Sequence, residues 1–122
     1  MVYMGSKSRI AKEIVPIIQS YIDDNNIHNY LEPFCGGGNV IDKVKCEHKY
    51  ASDVQPYLIA LLKQTQKDIS VFPETITLEE YKDVKDNKEK YPDWYVGLIG
   101  FCASFGGNGY LYWFVARYST FD

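Results

Sequence analysis

The chain has 122 residues, of which 46% are hydrophobic and 16% aromatic, a globular composition that excludes extensive disorder and allows burial of roughly 60% of the unfolded surface. Its formal net charge of -3 excludes a freestanding domain that grips a phosphate backbone through a basic surface. No apolar run approaches the roughly 20 residues of a membrane span and no signal-peptide pattern opens the chain, so the expected location is the cytoplasm.

Ile10, Ile14, Ile17, Ile18 and Tyr21 recur at helical spacing and predict an amphipathic helix over residues 6–23. Pro16 either kinks that helix or marks where a second one starts, and Asp23-Asp24-Asn25-Asn26 ends it as a polar turn. Residues 29–33 predict a short buried strand, 36–38 a glycine loop, and 39–45 a short helix with Asn39 as its N-cap. Residues 49–53 predict a second strand and 55–66 a helix with Pro56 in its first turn. Strands alternating with helices imply an α/β fold with a parallel sheet and helices on its faces.

The character changes after residue 68. Thr77-Leu78-Glu79-Glu80 has the form of a capping box opening a charged helix towards Lys90. From Asp93 another helix is predicted, with Trp94, Leu98, Phe101, Cys102 and Phe105 along one side. The glycine-rich stretch from Phe105 to Gly109 is followed by Tyr110, Tyr112, Trp113, Phe114 and Tyr118, an aromatic density that normally expects a partner surface. Cys35, Cys46 and Cys102 are odd in number and lack metal-ligand spacing, so they are expected to be reduced, mostly buried thiols, with no metal bound. His28 and His48 stand in polar stretches and are expected to be solvated rather than catalytic.

The chemistry concentrates in Leu31-Glu32-Pro33-Phe34-Cys35-Gly36-Gly37-Gly38 and in Asp53. Glycines after a strand let ligand atoms approach the main chain without meeting a Cβ, although the same letters also make an ordinary tight turn. A dinucleotide fingerprint would need a glycine at position 41, which is Ile41, so a nicotinamide cofactor is disfavoured. Asp53, at the next strand tip, either accepts two hydroxyl hydrogen bonds from a ribose or caps the following helix, and both roles are compatible. Lys7 either reaches the same crevice or is a surface lysine beside a turn. Phe34 either walls an adenosine or sulfonium group or is core.

Three segments together, Tyr3-Met4-Gly5-Ser6-Lys7, Leu31 to Gly38, and Ala51-Ser52-Asp53, resemble in order and spacing the first motifs of the Dam-type (D12 class) DNA adenine-N6 methyltransferases of bacteria and phages. The likeness is strong over residues 3–62 and looser afterwards. It implies a partial Rossmann-like S-adenosylmethionine-dependent methyltransferase fold, with residues 1–70 the N-terminal part of the cofactor-binding domain. Residues 71–122 would begin a helical target-recognition insertion, in which residues 101–109 resemble a segment near the target DNA. By the same resemblance Tyr3 and Lys7 border the cofactor, with the lysine also near the target base. Phe34, Gly36 and Gly38 line the methionine and adenosine pocket, and Asp53 holds the ribose.

One expected motif is absent. Adenine N6 is a weak nucleophile because its lone pair is delocalised into the ring, and the family holds the extruded base with a motif close to Asp-Pro-Pro-Tyr. The sequence contains no Pro-Pro pair, and Pro92-Asp93-Trp94-Tyr95 has the letters in the wrong order ahead of a predicted helix. The expectation is therefore the N-terminal portion of a site-specific DNA adenine-N6 methyltransferase, inactive by itself, with double-stranded DNA as partner once a C-terminal half completes it. The rival expectation is a non-catalytic interaction protein derived from a truncated methyltransferase, associating with a protein or with itself through its aromatic tail. A different Rossmann-like nucleotide binder ranks third.

Overall fold

The computed structural model describes residues 5–103, which fall into two units, Gly5–Val54 and residues 55–103. In the first unit, α1 (Ala11–Asp24) starts five residues later than the apolar spacing predicts. Ser6 explains the delay, because its hydroxyl accepts the Ser8 N–H at 3.2 Å and the Asn39 side-chain amide at 3.0 Å, holding residues 6–8 in a turn. Pro16 lies inside α1 and starts no second helix, although its missing N–H leaves one hydrogen bond unmade. The helix ends as its polar run requires, with Asn25 donating to the Tyr21 carbonyl and Asn26 at φ 51° letting Ile27 N–H reach back to Ile22 O at 3.0 Å.

The apolar stripe of α1 divides. Ala11 and Ile22 join Val40 and Val44 in a small core, with Ile14 and Ile18 packed against it, whereas Ile10, Ile17 and Tyr21 are exposed. β1 (Asn29–Glu32) and β2 (His48–Ala51) pair in parallel, with Asn29 opposite His48 and Glu32 opposite Ala51. The alternation of elements thus yields the expected parallel pairing. The expected burial of the first strand does not hold: Glu32 alone of its residues is buried and Leu31 is 62% exposed. Among the described residues the sheet has two strands, too few to make an interior.

The helix expected over residues 39–45 is absent and consecutive turns replace it. Asn39 is drawn to Ser6 instead of capping, Val40 and Ile41 are β-branched, and Lys49 donates to the carbonyls of Ile41 and Val44 at 2.9 and 3.0 Å. Gln19 of α1 clamps the far end by binding both the N–H and the carbonyl of Lys45 at 2.8 Å.

The second unit is helical. α2 (Pro56–Lys67) has Pro56 in its first turn and Gln55 as its cap, the Gln55 side chain accepting the Tyr57 N–H at 3.1 Å. α3 (Leu78–Asp86) is capped by Thr77, whose hydroxyl accepts the Glu80 N–H at 3.1 Å as the capping box requires. Glu80 does not complete the box, because its carboxylate receives the Tyr95 hydroxyl. Burial first, and that hydrogen bond second, push the Tyr95 phenol up to about 12. A 3-10 turn (Lys88–Lys90) leads to α4 (Asp93–Leu98), which continues as a π turn over Ile99–Ala103.

That π turn rotates the predicted stripe of the last helix. Val96, Ile99 and Phe101 enter the core with Tyr57, Leu58, Leu61 and Val84, while Trp94 and Leu98 are half-buried and Cys102 is exposed. Phe105 and the glycine and aromatic tail lie outside the described residues. The thiols are free, but only Cys35 is fully buried, Cys46 being intermediate. His28 and His48 are exposed and flank Glu47 at 2.8 and 3.5 Å. Among the described residues no helix is long and apolar enough to cross a membrane.

Gly97 permits α4 to lie against α2. A Cβ built there would stand 2.3 Å from the Tyr57 carbonyl oxygen, a backbone atom that cannot swing aside. Gly97→Ala is expected to lower stability by about 2 kcal/mol despite alanine's better helix propensity, measured as a fall in the urea unfolding midpoint.

Candidate functional site

β1 ends at Glu32, and the chain then turns through Pro33, Phe34, Cys35 and three glycines. The loop is stitched to the segment leaving β2. Cys35 N–H donates to the Ser52 carbonyl at 2.9 Å, Ser52 N–H to the Glu32 carbonyl at 3.0 Å, and the Ser52 hydroxyl to the Pro33 carbonyl at 3.2 Å. Gly38 N–H closes a turn onto the Cys35 carbonyl at 2.9 Å. Gly36 at φ 53° and Gly38 at φ 77° take a backbone shape that side-chain-bearing residues rarely adopt. A Cβ added at Gly38 would meet nothing nearer than 3.9 Å, so backbone conformation, not crowding within the protein, selects glycine there.

Asp53 turns back to the loop. Its Oδ2 accepts the Gly36 N–H at 2.9 Å, and the cap of α2 is Gln55. Lys7 reaches in from the segment before α1, donating to the Phe34 carbonyl and placing Nζ 3.1 Å from Glu32 Oε1. Its side chain is 29% exposed, so it is not a solvated surface lysine. Phe34 is 79% exposed and therefore not core. Lys7, Phe34, Gly36, Gly38 and Asp53 thus meet around one loop within the first unit, whereas Tyr3 lies outside the described residues.

Sequence reasoning passed over Glu32 as a site residue. The signal was present, since an acid at the last position of a strand ahead of Pro and Phe stands at the sheet tip. Its burial shows only in three dimensions. Glu32 also shapes its neighbours: the Tyr30 phenol is raised by burial first and then by the Glu32 charge. The Cys35 thiol is raised by burial first, then by Asp53 and Glu32, with Lys7 opposing. A neutral thiol between two carboxylates is a poor nucleophile. Among the described residues no three His, Cys, Asp or Glu side chains form a metal-binding group. The arrangement offers a half-buried glycine turn at Gly37 and Gly38, one uncovered aromatic ring at Phe34 and two acids, Glu32 and Asp53.

A family model described as D12 class N6 adenine-specific DNA methyltransferase matches residues 3–94, a span that includes Lys7, the Glu32 to Gly38 loop and Asp53. No curated protein and no solved structure matches the chain.

The difference in access between two thiols makes a direct prediction. Burial raises the thiols of both Cys35 and Cys102, but Cys35 is buried and Cys102 is exposed, so iodoacetamide should modify Cys102 well before Cys35 at pH 7.5. Peptide mass mapping after timed alkylation reads the order.

Proposed function

The chain belongs to the D12 class of N6 adenine-specific DNA methyltransferases, and from that membership we propose that Gly5–Val54 carries the S-adenosylmethionine-binding portion of a site-specific adenine-N6 enzyme of Rossmann-like type. The observation that carries this reading is the convergence of Lys7, Phe34, Gly36, Gly38 and Asp53 on one loop between two parallel strands. The residues fit the group. Gly38 leaves its outer side open, Phe34 offers an uncovered ring, and Asp53 and Glu32 bring carboxylates to the same sheet end. Tyr3 joins this set by motif.

When bound, S-adenosylmethionine supplies the methyl group and its sulfonium leaving group. The chain's own residues bind and orient: Asp53 accepts ribose hydroxyls while steadying the loop through Gly36, and Phe34 excludes water beside the adenosine. Residues 71–122 begin the target-recognition insertion. With a net charge of -3, this chain leaves the main grip on double-stranded DNA to other parts of the complete enzyme. The groups that would hold the adenine amino group are supplied by polypeptide outside these 122 residues, because no Asp-Pro-Pro-Tyr motif lies within them. The setting we assign is the cytoplasm of a bacterium or a phage-infected cell, with a restriction-modification role.

A second reading, a non-catalytic interaction protein, is favoured by one observation. Between α1 and β1 the first unit opens a groove of about 470 Å³ that includes Ile17, Ile18, Tyr21, Ile27, Tyr30 and Leu31 and shares no residue with the glycine loop.

Calorimetric titration of S-adenosylmethionine into the 122-residue chain is expected to show saturable binding, weakened roughly tenfold or more by Asp53→Ala through loss of charge-assisted hydrogen bonds. A folded chain that binds no S-adenosylmethionine would favour the second reading. The same chain, assayed with tritiated S-adenosylmethionine and double-stranded DNA, is expected to transfer no methyl group; transfer above the protein-free background would overturn the inactivity.

A further inference from the structure

Glu32 is 7% exposed, and among the described residues neither carboxylate oxygen, each with essentially no accessible surface, accepts a well-directed hydrogen bond, although the Tyr30 phenol stands close enough for the carboxylate to raise it. A buried charge in that position is costly unless a cation meets it. The cation beside it is Lys7, whose Nζ stands 3.1 Å from Oε1 while its hydrogen bond goes to the Phe34 carbonyl. Lys7 is the more exposed partner, 29% against 9% for the two side chains, so it covers the carboxylate from the solvent side. The Cys35 thiol feels Asp53, Glu32 and Lys7 together, which places all three charges around the loop.

We propose that Lys7 is an internal stand-in for the cationic end of the bound ligand: Glu32 is the subsite for the ammonium or sulfonium of an amino-acid-bearing nucleoside, and binding exchanges the lysine for the ligand's cation. This rests on the cofactor-binding reading above. No bond is made or broken in the exchange. One consequence is order, since Lys7 leaves Glu32 and the Phe34 carbonyl only when the ligand arrives. Lys7 thereby acts as a positioning residue, and Glu32 selects ligands that carry a cation.

The test pairs three ligands with four proteins. S-adenosylhomocysteine carries the ammonium but no sulfonium, and 5′-methylthioadenosine carries neither. Calorimetry is performed on the wild type, Glu32→Gln, Lys7→Met and the double variant, each checked for folding by circular dichroism. Glu32→Gln is expected to weaken S-adenosylhomocysteine roughly tenfold while leaving 5′-methylthioadenosine unchanged. Lys7→Met is expected to tighten S-adenosylhomocysteine, to lower the Tm without ligand, and to recover that Tm when the ligand is added. The double variant should recover the Tm without any ligand. S-adenosylmethionine run alongside separates the sources: Glu32→Gln weakening it but not S-adenosylhomocysteine assigns the subsite to the sulfonium. Equal weakening of all ligands by Lys7→Met, or indifference of all to Glu32→Gln, overturns the exchange while leaving cofactor binding intact. Absence of binding by every folded variant overturns both. Should Lys7→Met fail to fold, the selectivity change in Glu32→Gln alone decides.

Discussion

The first unit depends on the register of two short parallel strands. Pairing Glu32 with Ala51 brings the ends of β1 and β2 to the same level, so the chain leaving β2 passes directly beside the glycine loop leaving β1. Ser52 and Asp53 then bind that loop through three hydrogen bonds, between Cys35 N–H and the Ser52 carbonyl, the Ser52 hydroxyl and the Pro33 carbonyl, and Gly36 N–H and the Asp53 carboxylate. A shift of one residue would turn every side chain to the other face and carry Asp53 away from Gly36. Parallel pairing is what makes this possible, because it gathers the two carboxyl ends of the strands at one edge, where α/β proteins place ligands.

Charge sets the second constraint. Glu32 and Asp53 are two acids close to one loop, and a pair of like charges in a partly desolvated place needs a counter-charge. Lys7 supplies it from a segment that Ser6 holds out of the helix, which gives the late start of α1 a purpose: an earlier helical turn would take that segment out of the Ser6 hydrogen bonds that now fix it. All three charges lie within the span that matches the D12 class of N6 adenine-specific DNA methyltransferases, residues 3–94.

The second unit obeys different rules. Its helices are held by a core of Tyr57, Leu58, Leu61, Val84, Val96, Ile99 and Phe101, and by carboxylate pairs that accept the Tyr91 and Tyr95 hydroxyls, Asp83 for the first and Glu80 for the second. The aromatic rings add stacking, Phe72 on Trp94 and Tyr91 on Tyr95, at centroid separations of 5.5 and 5.7 Å. The predicted stripe missed Ile99 because spacing at 3.6 residues per turn has no means of anticipating the π turn at Ile99–Ala103, whereas Val96 is a core position of the regular helix before that turn.

Local chemistry was legible from the chain alone. The Thr77 cap, the Pro56 helix start, the polar end of α1 and the loop at Gly36 to Gly38 each follow from residues acting within one turn of themselves. The family, too, was legible, because its motifs are contiguous strings. What the tertiary structure decided were the contacts between residues far apart in sequence. Asn39 abandoned a helix cap for Ser6, 33 residues away, and Asp53 accepts the Gly36 N–H, 17 residues away. Glu32, read as a letter in a motif, became a buried carboxylate facing Lys7. Short-range propensity is carried by each residue and its neighbours, whereas burial and charge pairing exist only once two distant segments have met, and no spacing along the chain encodes that encounter.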